Sequence, residues 1–341
     1  MKSKPIELNK SRKMPAFMGP MLAVILLSLI LAITLSDSFL RADNLLNILR
    51  QMALNSLVAL GMLMVLLTGG IDLSVGSVVA LTGCTMGVLL EAGVSSSFVL
   101  IVAGLAVGIL CGTLNGLLFT KLELPHPYVS TMGTRMIFRG LALLITGARN
   151  IGGFPKGVTF LGYENIFGNF PVSFIAIIVI FAIVGIFLNN TALGRKVYSV
   201  GGNKEAARLA GINVKNTLNF TYIMSGLMAS IAGVVWIGRV STAVPLAGET
   251  FDTDAIAACV IGGASFLGGK GTVTGTLFGA LLITIIRNGL NLLGAQTDTQ
   301  YIVIGLVIIL AVFIDVVRTK MEEKARRTTQ AKMQEALETN V

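Results

Sequence analysis

The sequence predicts an all-α, polytopic integral membrane protein: a helical bundle of about ten transmembrane helices, with broken helices among them. Three observations carry this. First, 54% of the 341 residues are hydrophobic and only 13% are charged, where a soluble domain carries roughly 25% charged residues. Second, apolar runs close to the ~20 residues needed to cross a bilayer recur along the chain. Third, the stretch Gly69-Gly70-Ile71-Asp72-Leu73-Ser74-Val75-Gly76-Ser77 interrupts two such runs. Paired glycines loosen a helix by about 1 kcal/mol each relative to alanine. A carboxylate at bilayer depth persists only when protein or a watery cavity covers it. The stretch therefore reads as a helix break facing the bundle interior, the alternative being an exposed turn with Asp72 in water.

Taken in order, residues 1–15 are polar and basic, with Lys2, Lys4, Lys10, Arg12 and Lys13. The apolar run 16–35 is long for a signal-peptide core and lacks a clear cleavage site, so it is the first span. Further spans are expected at about 48–68, 74–91, 97–119, 127–146, 172–189, 217–239, 253–267, 272–293 and 300–317. The eighth, 253–267, is short and flanked by glycine. Two spans repeat glycine at every fourth position: Gly104, Gly108, Gly112 and Gly116 in one, and Gly271, Gly275 and Gly279 in the other. That spacing puts the glycines on one helix face, where backbones can approach closely.

The net charge of +9 is not a nucleic-acid signal, because the basic residues gather at the ends and in the loops. With the N-terminus inside, eighteen Lys and Arg fall on the cytoplasmic side and five on the outer side, which places both termini in the cytoplasm. Arg135, Arg139 and Arg287 lie within spans. Arg135 and Arg139 share a helix face, open either to snorkelling or to pairing with a buried carboxylate. Cys84, Cys111 and Cys259 all lie in apolar runs and read as small core residues. The single histidine, His126, sits between Pro125 and Pro127 and reads as structural.

An outer loop of about residues 147–171 carries Phe154, Phe160, Tyr163, Phe167 and Phe170. It is either a docking surface or plug, or a short helix at the membrane interface. The cytoplasmic loop 194–211 holds a helix signal. Asn203 is an N-cap, Glu205 falls in the first turn, Arg208 near the end, and Gly211 can take the left-handed stop. A two-turn helix is unstable alone, so one presenting Ala206, Ala207, Leu209 and Ala210 needs a surface, on its own spans or on another protein. The run Ala264 to Thr272 imitates a phosphate-binding loop. It has Ala264 where the first glycine belongs and Gly271 where Ser or Thr would hold magnesium. No nucleophile, base or metal set is present, so the chain is read as no enzyme, with no cofactor of its own and no nucleic-acid partner.

Three stretches together resemble one family. Gly69 to Ser77, with Val78-Val79-Ala80-Leu81-Thr82-Gly83 after it, is similar to the ribose-type sugar permeases of bacterial ABC importers. Gly201-Gly202-Asn203 through Gly211-Ile212-Asn213-Val214 resembles their cytoplasmic coupling loop. Asp254-Ala255-Ile256-Ala257-Ala258, with Gly262-Gly263, Gly268-Gly269-Lys270-Gly271 and Asn288-Gly289-Leu290-Asn291, resembles their late glycine-rich segment. The turn Leu124-Pro125-His126-Pro127-Tyr128 departs from the family's usual Pro-Phe pair. The resemblance implies a permease subunit in the inner membrane, paired with a second, identical copy. It further implies that a cytoplasmic ATPase subunit binds the ATP and that an extracytoplasmic binding protein delivers a monosaccharide. It assigns coupling to the ATPase to Asn203, Lys204, Glu205, Ala206, Ala207, Arg208, Leu209 and Gly211. It assigns the translocation path to Gly69, Gly70, Asp72, Ser74, Asp254, Gly262 and Gly263. The expected division is a cytoplasmic segment 1–15, a permease domain 16–317 and a cytoplasmic polar tail 318–341. A nucleoside or branched-chain amino acid is the alternative cargo, and an ion-coupled secondary transporter the alternative mechanism.

Overall fold

The computed structural model describes residues 17–122, 124, 126–166 and 170–338; the basic segment 1–15, Pro125, Phe167 and the last three residues lie outside it. In chain order the helices are α1 Met18–Thr34, α2 Ser36–Phe39, α3 Ala42–Leu66, α4 Val75–Glu91, α5 Ser97–Lys121, α6 Pro127–Thr146 and α7 Lys156–Tyr163. They continue with α8 Val172–Asn190, α9 Ala192–Gly202, α10 Lys204–Leu209, α11 Val214–Val240, α12 Phe251–Ile261, α13 Val273–Leu292 and α14 Thr297–Glu338. Two small antiparallel ladders tie loops together. Ile151–Gly152 pairs with Thr242–Ala243, and Asn165–Ile166 pairs with Phe170–Pro171.

The all-α class holds, and among the described residues six helices are long and apolar enough to cross a membrane: α3, α5, α8, α11, α13 and Thr297–Val317 of α14. The sequence leads one to expect ten, and each shortfall has a physical cause. α1 and α4 are apolar but 17 residues long, about 25 Å against a hydrocarbon core of about 30 Å. α6 carries Arg135 and Arg139. The expected eighth span, 253–267, stops at Ile261, leaving the 11-residue helix α12. At the C-terminus the backbone of the polar tail is helical through Glu338, continuous with the last apolar helix.

α3 stands at the centre. Ala53, Ala59, Leu60, Met62, Leu63, Met64, Leu66 and Leu67 are all fully buried, and α8, α11, α12 and α13 pack around the helix. α1 leans on α13 through Val24, Leu31, Leu282 and Ile285. Its other face exposes Leu22, Ile25, Leu29 and Ile33, as do the outer faces of α5, α8 and α14, which suits hydrocarbon.

The four-residue glycine spacing of α5 is a helix crossing. A Cβ on Gly108 would collide with the Gly226 carbonyl and Ser230 of α11. One on Gly112 would strike the Tyr222 carbonyl, and one on Gly116 would lie 2.9 Å from Asn219. In α13, Gly275 and Gly279 meet Gly262 and Ala258 at the end of α12 in the same way. Gly271 is not part of that face; it lies in the preceding loop at φ +155°. The aromatic loop resolves in favour of a short helix. α7 packs on α11, with Gly162 against Gly238 and no room for a side chain on either. His126 caps α6, its Nδ1 accepting the Tyr128 amide at 3.1 Å.

The crossing gives a two-sided prediction. Gly112→Ala should destabilise the chain by about 1–3 kcal/mol through overpacking. Gly133→Ala on α6, where nothing lies within 4 Å of the added carbon, should stabilise it by up to about 1 kcal/mol through helix propensity. Thermal unfolding in detergent measures both, and equal effects would contradict the packing described.

Candidate functional site

The first break runs from the end of α3 to the start of α4. Gly69 takes φ +71°, and the amides of Gly69 and Gly70 close the helix end onto Leu66 and Val65. Asp72 then turns inward and is buried. Its Oδ1 accepts from the Ser74 amide at 3.0 Å, the Ser74 hydroxyl at 2.7 Å and the Asn115 amide at 3.3 Å; its Oδ2 accepts from the Ser225 hydroxyl at 2.8 Å. Asn115 also donates to Ser74 and accepts from Thr134 at 2.6 Å. One residue earlier, the Ile71 carbonyl accepts from Tyr222 and Thr131. Side chains of α5, α6 and α11 thus converge on one turn. Neutral donors satisfy the carboxylate, and no cation pairs with it among the described residues. The exposed-turn alternative is thereby excluded.

Asn115 and Ser225 were not among the candidates read from the sequence. The signal available was an amide next to Gly116 and a hydroxyl next to Gly226, polar groups beside the glycines that let α5 and α11 meet.

The second break joins α12 to α13 through residues 262–272. Asp254, in the first turn of α12, is held in two-pronged fashion by Arg287 of α13, Nη2 to Oδ1 at 2.7 Å and Nε to Oδ2 at 2.9 Å. Asp252 beside it pairs with Arg135 of α6 at 2.6 Å. Arg139 donates to the carbonyls of Pro245 and Ala247 at 2.6 and 2.7 Å, fixing the loop that leads into α12. Arg135 therefore takes the buried-carboxylate alternative, whereas Arg139 meets main-chain carbonyls instead of a carboxylate. Gly262 abuts Gly275, and Gly263 has φ +87°. Asp72 and Asp254 share no partner: α5 and α11 hold the first, α13 the second.

The third element is α10. Asn203 caps it, accepting from the Ala206 amide at 2.9 Å. Gly211 ends it at φ +78°. Glu205 and Arg208 pair on its exposed side, and Arg208's hydrogen bonds hold the Glu205 carboxyl below its ordinary range. Ala207 is buried against Val200 and Leu218, whereas Ala206, Ala210 and Leu209, 77% exposed, are turned outward. α10 thus buries Ala207 on its own chain, sets the Lys204 ammonium over the Phe119 ring at 5.8 Å, and leaves a large apolar side chain, Leu209, exposed.

These three elements meet. At the end of α9, a Cβ on Gly201 would overlap the Leu67 carbonyl and lie 2.5 Å from the Gly269 amide. Gly268, at φ +86°, has room for none: a Cβ would sit 2.7 Å from the Gly69 amide nitrogen and 2.9 Å from the Gly201 carbonyl. The Gly269 amide donates to Leu67 O at 2.9 Å, and the Tyr198 hydroxyl donates to Gly271 O at 3.0 Å. Both breaks and the stem of α10 therefore touch backbone to backbone. Beside this junction lies a cavity of about 340 Å³ lined by Gly69, Gly70, Ile71, His126, Tyr128 and Phe266. Of the expected path residues, only Gly69 and Gly70 reach it.

Removing one donor from Asp72 tests the first break. Ser225→Ala leaves Oδ2 unsatisfied and should lower stability by about 1–3 kcal/mol. Thr113→Ala, which loses only a local bond on an exposed face, should stay within about 0.5 kcal/mol. Equal, negligible shifts in melting temperature would show that the network does not hold the break.

The family profile described as branched-chain amino acid transport system, permease component, matches residues 44–312. The ribose import permease protein of Bacillus subtilis (strain 168) is 41% identical over 299 residues, covering 87% of this chain and 92% of that protein. The D-allose transport system permease protein of Escherichia coli (strain K12) is 39% identical over 279 residues, 82% and 85% of the two chains. The fructose import permease protein of Rhizobium meliloti is 36% identical over 303 residues, 87% and 84% of the two. No solved structure matches the chain. With most of its length matched in this way, the chain belongs to the family of branched-chain amino acid transport system permease components.

Proposed function

We propose that the chain is the membrane-spanning permease subunit of an ABC importer for a monosaccharide. The observation that carries the reading is identity of 36–41% over more than four fifths of relatives named for ribose, D-allose and fructose import. A branched-chain amino acid is the second reading, favoured by the description of the family profile. An ion-coupled mechanism has little support in Asp72, whose oxygens are already occupied by four donors.

In this reading a cytoplasmic ATPase subunit binds ATP and docks on α10, whose exposed Leu209 and Glu205–Arg208 pair offer it a surface. An extracytoplasmic binding protein supplies the sugar, a second copy of the chain completes the pathway, and the permease itself catalyses no reaction. Ten crossings or part-crossings are supplied by α1, α3, α4, α5, α6, α8, α11, α12, α13 and α14, the shorter ones covered by neighbours. The excess of Lys and Arg on one side supports an inner-membrane protein with both termini, 1–15 and 318–341, in the cytoplasm.

The stroke follows from packing. α10 is stapled by Ala207 to α9 and α11, and Gly201 at the end of α9 bears on Leu67 and Gly269. A push on α10 is therefore delivered to both breaks through rigid backbone rather than through pliable side chains. The sugar passes the cavity at Gly69 and Gly70, while Asp72 and Ser74 brace the turn that follows them and Asp254, Gly262 and Gly263 brace the second break.

Uptake by the chain reconstituted with an ATPase subunit and a sugar-binding protein tests the reading. Labelled ribose, allose or fructose should accumulate on ATP hydrolysis. Accumulation of leucine or a nucleoside, with no sugar carried, would overturn it.

A further inference from the structure

At the opposite end of α3 from the break, Arg50 of α3 and Arg239 from the last turn of α11 line one cavity of about 460 Å³. Each guanidinium is propped by a single neutral amide. Arg50 Nη2 donates to Asn165 Oδ1 at 3.0 Å, and Arg239 Nη2 donates to Asn47 Oδ1 at 3.0 Å. Among the described residues neither enters an ion pair, in contrast to Arg135 and Arg287, which meet Asp252 and Asp254. Arg50 Nε is buried and has no hydrogen-bond partner among the described residues. Glu164 also borders the cavity but is exposed and bonds to neither arginine. Two partly buried cations facing one space without a paired counter-charge are unfavourable, because desolvation is incompletely compensated.

We propose that this cavity is a phosphate-type oxyanion site at the membrane interface. The guanidinium fork matches phosphate oxygens in pairs, and the asparagine props engage only one Nη of each fork. The depth is set by aromatic rings. Tyr163 lines the cavity at 65% exposure, with Phe160 and Phe170 also exposed in the same loop, and such rings collect at headgroup level. Phosphate reaches that depth from two sources, the headgroup of a phospholipid and free phosphate from the aqueous side. The site lies at the end of the bundle away from the glycine junction, so its occupancy is separate from coupling through α10.

The test uses the full-length chain in detergent. After delipidation, thermal unfolding is followed against inorganic phosphate, with chloride at matched ionic strength as reference. In parallel, native mass spectrometry reads retained phosphatidylglycerol against a phosphate-free glycolipid. Phosphate-dependent stabilisation identifies a free-anion site and a retained phosphatidylglycerol adduct a headgroup site; either supports the proposal if it depends on the arginines. The double variant Arg50→Gln/Arg239→Gln should weaken the effect roughly tenfold or more. Arg149→Gln, which removes an exposed arginine already paired with Glu91, should leave it unchanged. Should the double variant fail to insert, Arg50→Lys carries the test alone: it keeps the charge, loses the fork and should still bind more weakly. Unchanged binding in whichever of the two variants folds, absence of any phosphate or phosphatidylglycerol effect, or an effect of the arginines seen only with an acidic extracytoplasmic protein present would each overturn the site.

Discussion

Backbone contact between Leu67, Gly201 and the pair Gly268–Gly269 is the constraint on which the working parts of this protein depend. Three segments far apart in sequence, at Leu67, Gly201 and Gly268–Gly269, arrive at one point with no side chain between them. Side-chain packing can absorb a displacement by changing rotamers, whereas carbonyls and amides in direct contact cannot. A junction of this kind fixes the spacing of the α3–α4 break, the α12–α13 break and the stem of α10. Shifting any one of them therefore shifts the others.

The rest of the site keeps that junction stiff. A helix interrupted inside the bundle exposes backbone groups that water cannot reach. Here the Ile71 carbonyl is satisfied by Tyr222 and Thr131, and Asp72 draws in donors from α5 and α11. At the second break the charges are opposite and paired, Asp252 with Arg135 and Asp254 with Arg287. The two breaks thus solve the same problem differently. A carboxylate surrounded by neutral donors organises one, and ion pairs to neighbouring helices anchor the other. Breaking either arrangement leaves a buried charge without compensation, which is costly.

The membrane class, the helix face marked by Gly104 to Gly116, the break at Gly69–Gly70 and the capped helix after Asn203 were all legible in the sequence. Each rests on a local rule of spacing, capping or composition. The meeting of Gly201 with Leu67 and Gly269 was not legible. A glycine required by a distant backbone looks the same in sequence as one required by a turn. Asn115 and Ser225 were missed for a related reason, since a single polar residue in an apolar run does not say which buried group it serves. The segment 253–267 looked like a span because its composition is apolar through Phe266. The chain leaves the helix after Ile261, where Gly262 must press on Gly275. The helical continuation beyond Val317 has no apolar stripe to announce it and rests on the good helix formers Met, Glu, Lys, Ala and Arg.

The central claim is that Gly201 transmits movement of α10 to the breaks, and its neighbour provides the control. A Cβ on Gly201 collides with backbone, whereas nothing lies within 4 Å of one on Gly202. ATP hydrolysis by the complex assembled with the proposed ATPase subunit and loaded binding protein should be measured for Gly201→Ala and Gly202→Ala. The account predicts that both variants insert and assemble, that Gly202→Ala keeps substrate-stimulated hydrolysis and uptake, and that Gly201→Ala loses both. Full stimulation and uptake in Gly201→Ala would contradict it.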